Sequence, residues 1–431
     1  MMKKIFCAIV LMAGAFTANA QSGTNSPYSQ YGLGILSNQS AGFSRGMDGL
    51  GIGYRDGKQV NFLNPSSYSG IDSLTFIFDG GVAGQITNFS ENGVKKNAKN
   101  ANFEYVVAGF RLQKHVGVGV GIVPFTNVGY NYVSEGYLNE GRTASYKNTY
   151  EGKGGFRQAF FGVGWEPLRN VSVGVNFSYL WGSYEKSIAN VYNDVWVNTL
   201  YKYYNASVSN YKLDAGLQYT LPLGKKDKVT LGVTYSPKHK LGAEPECLVV
   251  STNTTTNRND TATFVSGYGL EIPEMMGAGL MYHHDNRLKL GIDYSLQKWA
   301  GVGFPELKSQ NGQTQYVQNM NYFKDRHKVT FGGEYCKGSM MRGFFNRLRY
   351  RAGVSYATSY LNVKGQDGPK ELSVSAGLGI PIINVYNNRS LLNISGQWIR
   401  QSGNHLLTEN SFRINIGITF NELWFMKWKM K

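Results

Sequence analysis

The chain has 431 residues and a formal charge of +16, with 17% charged and 14% aromatic residues, Gly 53, Tyr 29 and only Pro 11. No shift in composition marks a linker, so one large unit is expected instead of a string of soluble domains. The basic residues (Lys95, Lys96, Lys225, Lys226, Lys228) are scattered through turns, with no basic helix or aromatic RNA-binding motif, which argues against a nucleic-acid partner.

Taken in order, the chain starts as an export signal. Lys3 and Lys4 precede an apolar run from Ile5 to Phe16, and Ala18-Asn19-Ala20 has the small residues of a cleavage site. The apolar run falls short of the roughly 18–20 residues a membrane anchor needs. Residues 1–20 are therefore read as a signal peptide and Gln21 as the mature start. After Gln21 no apolar stretch is long enough for a spanning helix. An exported membrane protein without one is left with a closed barrel, because an open sheet edge cannot be satisfied in lipid. The expected location is the outer membrane of a Gram-negative cell, with both termini in the periplasm. The cationic exterior would then face outer-membrane lipid and lipopolysaccharide.

Residues 21–72 come before any regular alternation and are rich in Gly, Ser, Asn and Tyr. They are too glycine-rich for a helix bundle and too long for an ordinary loop. A compact plug (hatch) in the lumen is preferred to a disordered arm.

Residues 73–422 read as an all-β transmembrane antiparallel β-barrel of about 14 strands. In Phe412 to Phe420 the apolar Phe412, Ile414, Ile416, Ile418 and Phe420 alternate with Arg413, Asn415, Gly417 and Thr419. That gives one lipid face and one lumen face. The same alternation appears in Val171/Val173/Val175/Phe177 and Leu288/Leu290/Ile292/Tyr294. The strands are expected near 73–88, 102–113, 115–132, 156–166, 170–185, 206–221, 227–238, 274–283, 286–299, 325–336, 347–361, 370–381, 390–402 and 411–421. Short turns alternate with long polar excursions near 133–155, 186–205, 239–268 and 300–324, the asymmetry of outer-membrane barrels. Residues 423–431 are read as a periplasmic tail.

The expected inner face is small. Gly117, Gly119 and Gly121 follow one another on one strand, and Ser373, Ser375, Gly377 and Gly379 on another. A packed soluble core would place bulk there, so the lumen has room for residues 21–72.

Little in the chain points to catalysis, and neither enzymatic activity nor a cofactor is expected. His283 and His284 are adjacent on a strand and point to opposite faces, so they cannot chelate one metal together. The glycines at 49–53 and 117–121 do not open a helix, so the dinucleotide fingerprint fails. Cys247 and Cys336 do not amount to a disulfide framework.

From Asn61 to Tyr68 the sequence resembles the FadL-type family of outer-membrane transporters for hydrophobic molecules. Asn64-Pro65-Ser66 stands where that family carries an Asn-Pro-Ala-like motif between plug and first strand. Collinear likenesses follow at Val118 to Phe125, Val229 to Lys240, Ile272 to Glu274, Gly291 to Trp299 and Arg349 to Tyr356. The resemblance implies fourteen strands, a plug, and a break in the third strand through which ligand leaves sideways. Pro124 would supply the break, since proline cannot donate to a ladder. Phe125, Tyr130 and Tyr132 would line the path. Arg349, Arg351, Arg413 and Asp293 are expected in the lumen, with Asp79, Asp214 and Lys289. They would pair with plug carboxylates such as Asp48 and Asp56, or the arginines would hold a ligand carboxylate.

The function expected on this basis is passive uptake of long-chain fatty acids or similar hydrophobic small molecules. The alternative is a barrel of the same kind serving as a secretion shuttle or scaffold for surface proteins, with a surface or secretion-system protein as partner. A lumen blocked by large residues would favour the scaffold.

Overall fold

The structure, a computed structural model, describes residues 23–138, 144–285, 287–310, 313–338, 341–363, 365–382 and 390–423. The signal-peptide stretch 1–20, the mature start at Gln21 and the tail beyond Leu423 lie outside them.

The wall is a closed antiparallel barrel of 14 strands. We number its segments β1 (Thr75–Glu91), β2 (Val94–Gln113), β3 (Val116–Pro124), β4 (Thr126–Tyr137), β5 (Ser145–Leu168), β6 (Val171–Tyr192), β7 (Thr199–Pro222), β8 (Asp227–Ser236), β9 (Met275–His284), β10 (Leu288–Gln297), β11 (Arg326–Tyr335), β12 (Arg349–Ala357), β13 (Lys370–Ile382), β14 (Ser390–Ser402) and β15 (Thr408–Leu423). β3 and β4 are the two parts of the third wall strand. The barrel closes where β1 pairs with β15, from Thr75 opposite Leu423 to Ser90 opposite Thr408.

The alternation read from sequence sets the faces. Val173, Val175, Phe177 and Tyr179 of β6 are exposed on the outer surface, while Ser172, Gly174, Asn176 and Ser178 between them face inward and are buried. The apolar faces of Leu231, Val233 and Tyr235 on β8 and of Leu290, Ile292 and Tyr294 on β10 continue the same lipid-facing belt. Among the described residues no helix is long and apolar enough to cross a membrane.

Two expectations about the connections need correction. The excursions at 133–155 and 186–205 are mostly strand: β5, β6 and β7 run for 24, 22 and 24 residues. About 9–11 residues suffice to cross, so their outer halves stand clear of the membrane. There the outward face meets water instead of lipid, while inward side chains such as Tyr184, Ala206 and Val208 are buried, and the hydrogen-bonded ladder continues. The long connections that remain are those between β8 and β9 and between β10 and β11. Each carries a hairpin, Glu246–Thr252 with Asn259–Val265 and Phe304–Gln310 with Gln313–Asn319.

Candidate functional site in the barrel lumen

Residues 23–72 run through the barrel from the long-loop end to the short-turn end and make most of their contacts with inward-facing wall residues. Phe43, Met47, Leu50, Tyr54 and Tyr68 are all fully buried there. The small residues of the wall are what admits them. A Cβ on Gly117 would fall 1.9 Å from the Tyr68 carbonyl oxygen, and one on Gly119 would fall 2.6 Å from the Tyr68 ring. Gly377 similarly faces the Cα of Gly46, 3.0 Å from where its own Cβ would be.

Polar clasps hold this leading segment at two heights. Mid-barrel, Arg45 meets Glu104 of β2 at 2.6 Å, with both side chains buried. Asp48 accepts hydrogen bonds from Ser373 and Gln397, both at 2.6 Å, and not from an arginine as expected. Asp293 accepts the backbone N–H groups of Gly51 (2.7 Å) and Ile52 (2.9 Å), a nest of amides around one carboxylate.

Toward the turn end, Asp56 meets Lys289 at 2.6 Å and Arg349 at 3.7 Å. Glu334 of β11 collects Lys289 (3.1 Å), Arg349 (3.0 Å) and Arg351 (2.7 Å). Arg55 reaches Glu166 at 2.6 Å. Burial alone would raise the Asp56 carboxyl, but Lys289, Arg349 and the Lys58 amide outweigh it and hold it well below the ordinary carboxylate value. Removing one partner of such a buried pair typically costs about 3–5 kcal/mol, because the other charge is left uncompensated.

The motif at the end of the segment is a cap. Asn64 Oδ1 accepts from the Ser66 N–H (3.2 Å) and hydroxyl (2.7 Å), starting a 3-10 turn with Pro65 in its first position. The Asn64 amide donates to the Ile52 carbonyl at 2.9 Å, tying the turn to the rest of the segment.

The third wall strand is interrupted at Phe125, between β3 and β4. β2 pairs with β3 only as far as Val106 opposite Ile122, and makes no ladder with β4. The N–H and C=O of one strand residue point to the same edge. The Pro124 carbonyl accepts from Gln39 of the leading segment at 2.7 Å, so the missing proline N–H also falls on the open side.

A crease of glycines carries the bend into the neighbouring strands. Gly154 and Gly155 of β5 and Gly182 of β6 have φ of 117°, 134° and 139°. A Cβ on Gly155 would meet the Thr126 carbonyl oxygen at 2.4 Å, and one on Gly182 the Gly155 carbonyl oxygen at 2.3 Å.

The gap between β2 and β4 is spanned by the leading segment. The Gly23 carbonyl accepts from Asn100 (3.0 Å) and Asn102 (2.6 Å) of β2, while the Gly23 backbone packs on the Asn127 side chain of β4. Asn25 donates to the Lys99 carbonyl at 3.3 Å. Ile35–Leu36 add a short strand to the open edge of β4. Gly23 thus lies in the outer half of the wall.

Inside the outer mouth, Phe125 and Tyr130 are buried with Tyr28, Leu33, Trp299 and Phe323 in one apolar cluster, with Tyr132 packed against it. Tyr132 stacks on Tyr150 and donates to Gln30 at 2.9 Å. The apolar volume near the break is therefore occupied by the chain itself. The cavity beside and below it, 310 Å³, has a mixed lining: Leu36, Phe62, Pro124 and Phe160 on one hand, Asp214 and Arg413 on the other, among others.

Arg413 donates twice to Gln85 of β1 (2.8 and 2.6 Å). Arg351 also donates to Asn393. Arg45, Glu104 and Glu334 were not singled out from the sequence. Glu334 shares a face with Thr330 and Gly332, so strand parity alone would have found it.

Cys247 and Cys336 are free and buried. His283 is buried and His284 is exposed, bonded to Asp227. Among the described residues no group of His, Cys, Asp and Glu is placed to hold a metal ion.

A family model described as BamG matches residues 1–431. The chain belongs to the BamG family. Solved structures similar to this BamG-family barrel include the toluene transporter TodX of Pseudomonas putida, with 14% identity, a TM-score of 0.60 and coverage of 91% of this chain and 100% of that one. The toluene transporter TbuX of Ralstonia pickettii matches at 14% identity and TM-score 0.57, covering 90% and 98%. A Pseudomonas aeruginosa FadL homologue matches at 12% and 0.58, covering 91% and 100%. At these identities the likeness establishes a shared FadL-type fold. A comparison with curated proteins finds no match.

Proposed function

We propose that this BamG-family barrel is an outer-membrane protein whose lumen is permanently stoppered by residues 23–72, and that it works as a scaffold for other proteins at the membrane. The observation that carries this reading is the filled lumen. Phe43, Met47, Tyr54 and Tyr68 are buried at the levels a solute would have to pass, and ion pairs bolt the segment to the wall. The cavity beside the break mixes charged groups such as Lys212, Asp214 and Arg413 with Phe62, Phe160 and Met276, so it is not a continuous apolar channel through the barrel. The wall strands project well past the membrane on one side and end in exposed apolar side chains, including Tyr137, Val195 and the 87% exposed Trp196. Exposed apolar groups beyond the lipid belt suit contact with protein.

Photo-crosslinking in living cells tests the scaffold. A photoreactive residue at Trp196 or Tyr137 is expected to yield a discrete protein adduct, and one at lipid-facing Val175 none. Adducts to lipopolysaccharide alone at all three positions would reject it.

The broken third strand favours a second reading, uptake of a small hydrophobic compound leaving sideways at Pro124–Phe125 past Tyr130 and Tyr132. Solved barrels of this fold include monoaromatic hydrocarbon channels. Uptake requires residues 23–25 and the outer apolar cluster to move, and hydrocarbon entry into cells that depends on this chain would support it.

A further inference from the structure

The strand register sets a row of side chains across the turn end of the lumen. Lys228 of β8 stands opposite His283 of β9, His283 opposite Lys289 of β10, Lys289 opposite Glu334 of β11, and Glu334 opposite Arg351 of β12. The acid in this row is at one end. Glu334 and the leading segment's Asp56 are already shared among Lys289, Arg349 and Arg351. At the other end Lys228 has Pro222 and His283 as cross-strand neighbours and forms no ion pair among the described residues. His283 is 2% exposed, and its Nε2 has no hydrogen-bond partner.

Both side chains line a cavity of 500 Å³ together with Arg55, Lys58, Lys289 and Arg349. Its lining acids are Asp56 and Glu166, and each is engaged by a cation, Glu166 by Arg55. An unpaired ammonium beside further cations and a buried imidazole nitrogen without a partner is an arrangement that a bound anion would complete.

We propose that the turn-end mouth is an oxyanion site. Lys228 supplies the charge, His283 Nε2–H a donor, and Arg55 a guanidinium edge to one phosphate or carboxylate group. The cavity opens at the end of the barrel, so the group can belong to a soluble molecule or to a chain terminus reaching the mouth. The site does not depend on whether the barrel is a scaffold or a conduit.

The test is calorimetric titration of the full chain in detergent micelles with inorganic phosphate and, separately, acetate. Saturable binding of at least one is expected, and the stronger of the two identifies the group. Lys228→Gln should weaken binding about tenfold, the effect of one charge-assisted hydrogen bond. Lys228→Arg should restore it, and Lys226→Gln, on the exposed neighbouring turn, should leave it unchanged. Equal loss in the Lys226 and Lys228 variants would reduce the effect to net charge and overturn the site. So would absence of saturable binding in the intact protein. Thermal unfolding of each variant separates lost binding from lost fold.

Discussion

Tyr68 lies against Gly119 so closely that a single added carbon on the glycine would come within 2.6 Å of the ring. Wall and leading segment are therefore fitted to one another, and the wall's missing side chains are filled by the segment's large ones. Gly119→Ala should destabilise the barrel by roughly 1–3 kcal/mol, the usual cost of overpacking. Gly119→Val should cost more. A Tyr68→Ala partner should recover part of the Gly119→Val loss while creating a deficit of its own. Thermal unfolding in detergent, with the double variant compared against the two singles, reads the coupling directly.

Glu334 holds three cations, two of which also reach Asp56. Glu334→Ala leaves Lys289, Arg349 and Arg351 buried with one carboxylate between them. A loss of about 3–5 kcal/mol is expected, larger than that for Glu274→Ala, whose partner Lys298 is half exposed. The comparison of the two unfolding midpoints is the measurement.

The turn-end clasp should respond to acid. The Asp56 carboxyl is held below its ordinary value of 3.8 in the folded state. Its contribution is then fully present above that value and is lost as pH falls below it toward the folded-state value. Hydrogen exchange of residues 54–60 should accelerate on acidification through that window, and Asp56→Asn should show fast exchange at every pH.

The interruption of the third strand is held by more than its proline. The Phe125 N–H donates to the Phe156 carbonyl at 2.8 Å and its carbonyl accepts from Ser37 at 3.0 Å. Pro124→Ala alone should therefore leave the amides between Val123 and Val128 unprotected by β2 in hydrogen exchange. Gly155→Ala, at a φ of 134° and against the Thr126 carbonyl, should reduce the yield of folded barrel.

Period-2 alternation made the barrel legible wherever strands cross lipid, because one face there must be apolar. It failed for the outer halves of β5, β6 and β7, where the outward face meets water and no longer has to be apolar. The Asn64-Pro65-Ser66 cap was legible as a local motif, and the glycines of β3 announced an occupant of the lumen. The clasps were legible only in part. Asp56 with Lys289 and Arg349 follows from pairing inward charges, whereas Glu104, the partner of Arg45, sits at a register shift of β2 where the alternation of faces breaks. Which cation meets which carboxylate depends on the height at which a non-repeating segment threads the barrel, and no periodicity encodes that.

Single-channel recording of the intact chain in planar bilayers tests the stopper most directly. Insertion without steady ion conductance is the expected result, since the leading segment fills the lumen and is pinned both mid-barrel and at the turn end. A stable ohmic conductance from the folded, unmodified protein would mean that the lumen is open and would contradict the account.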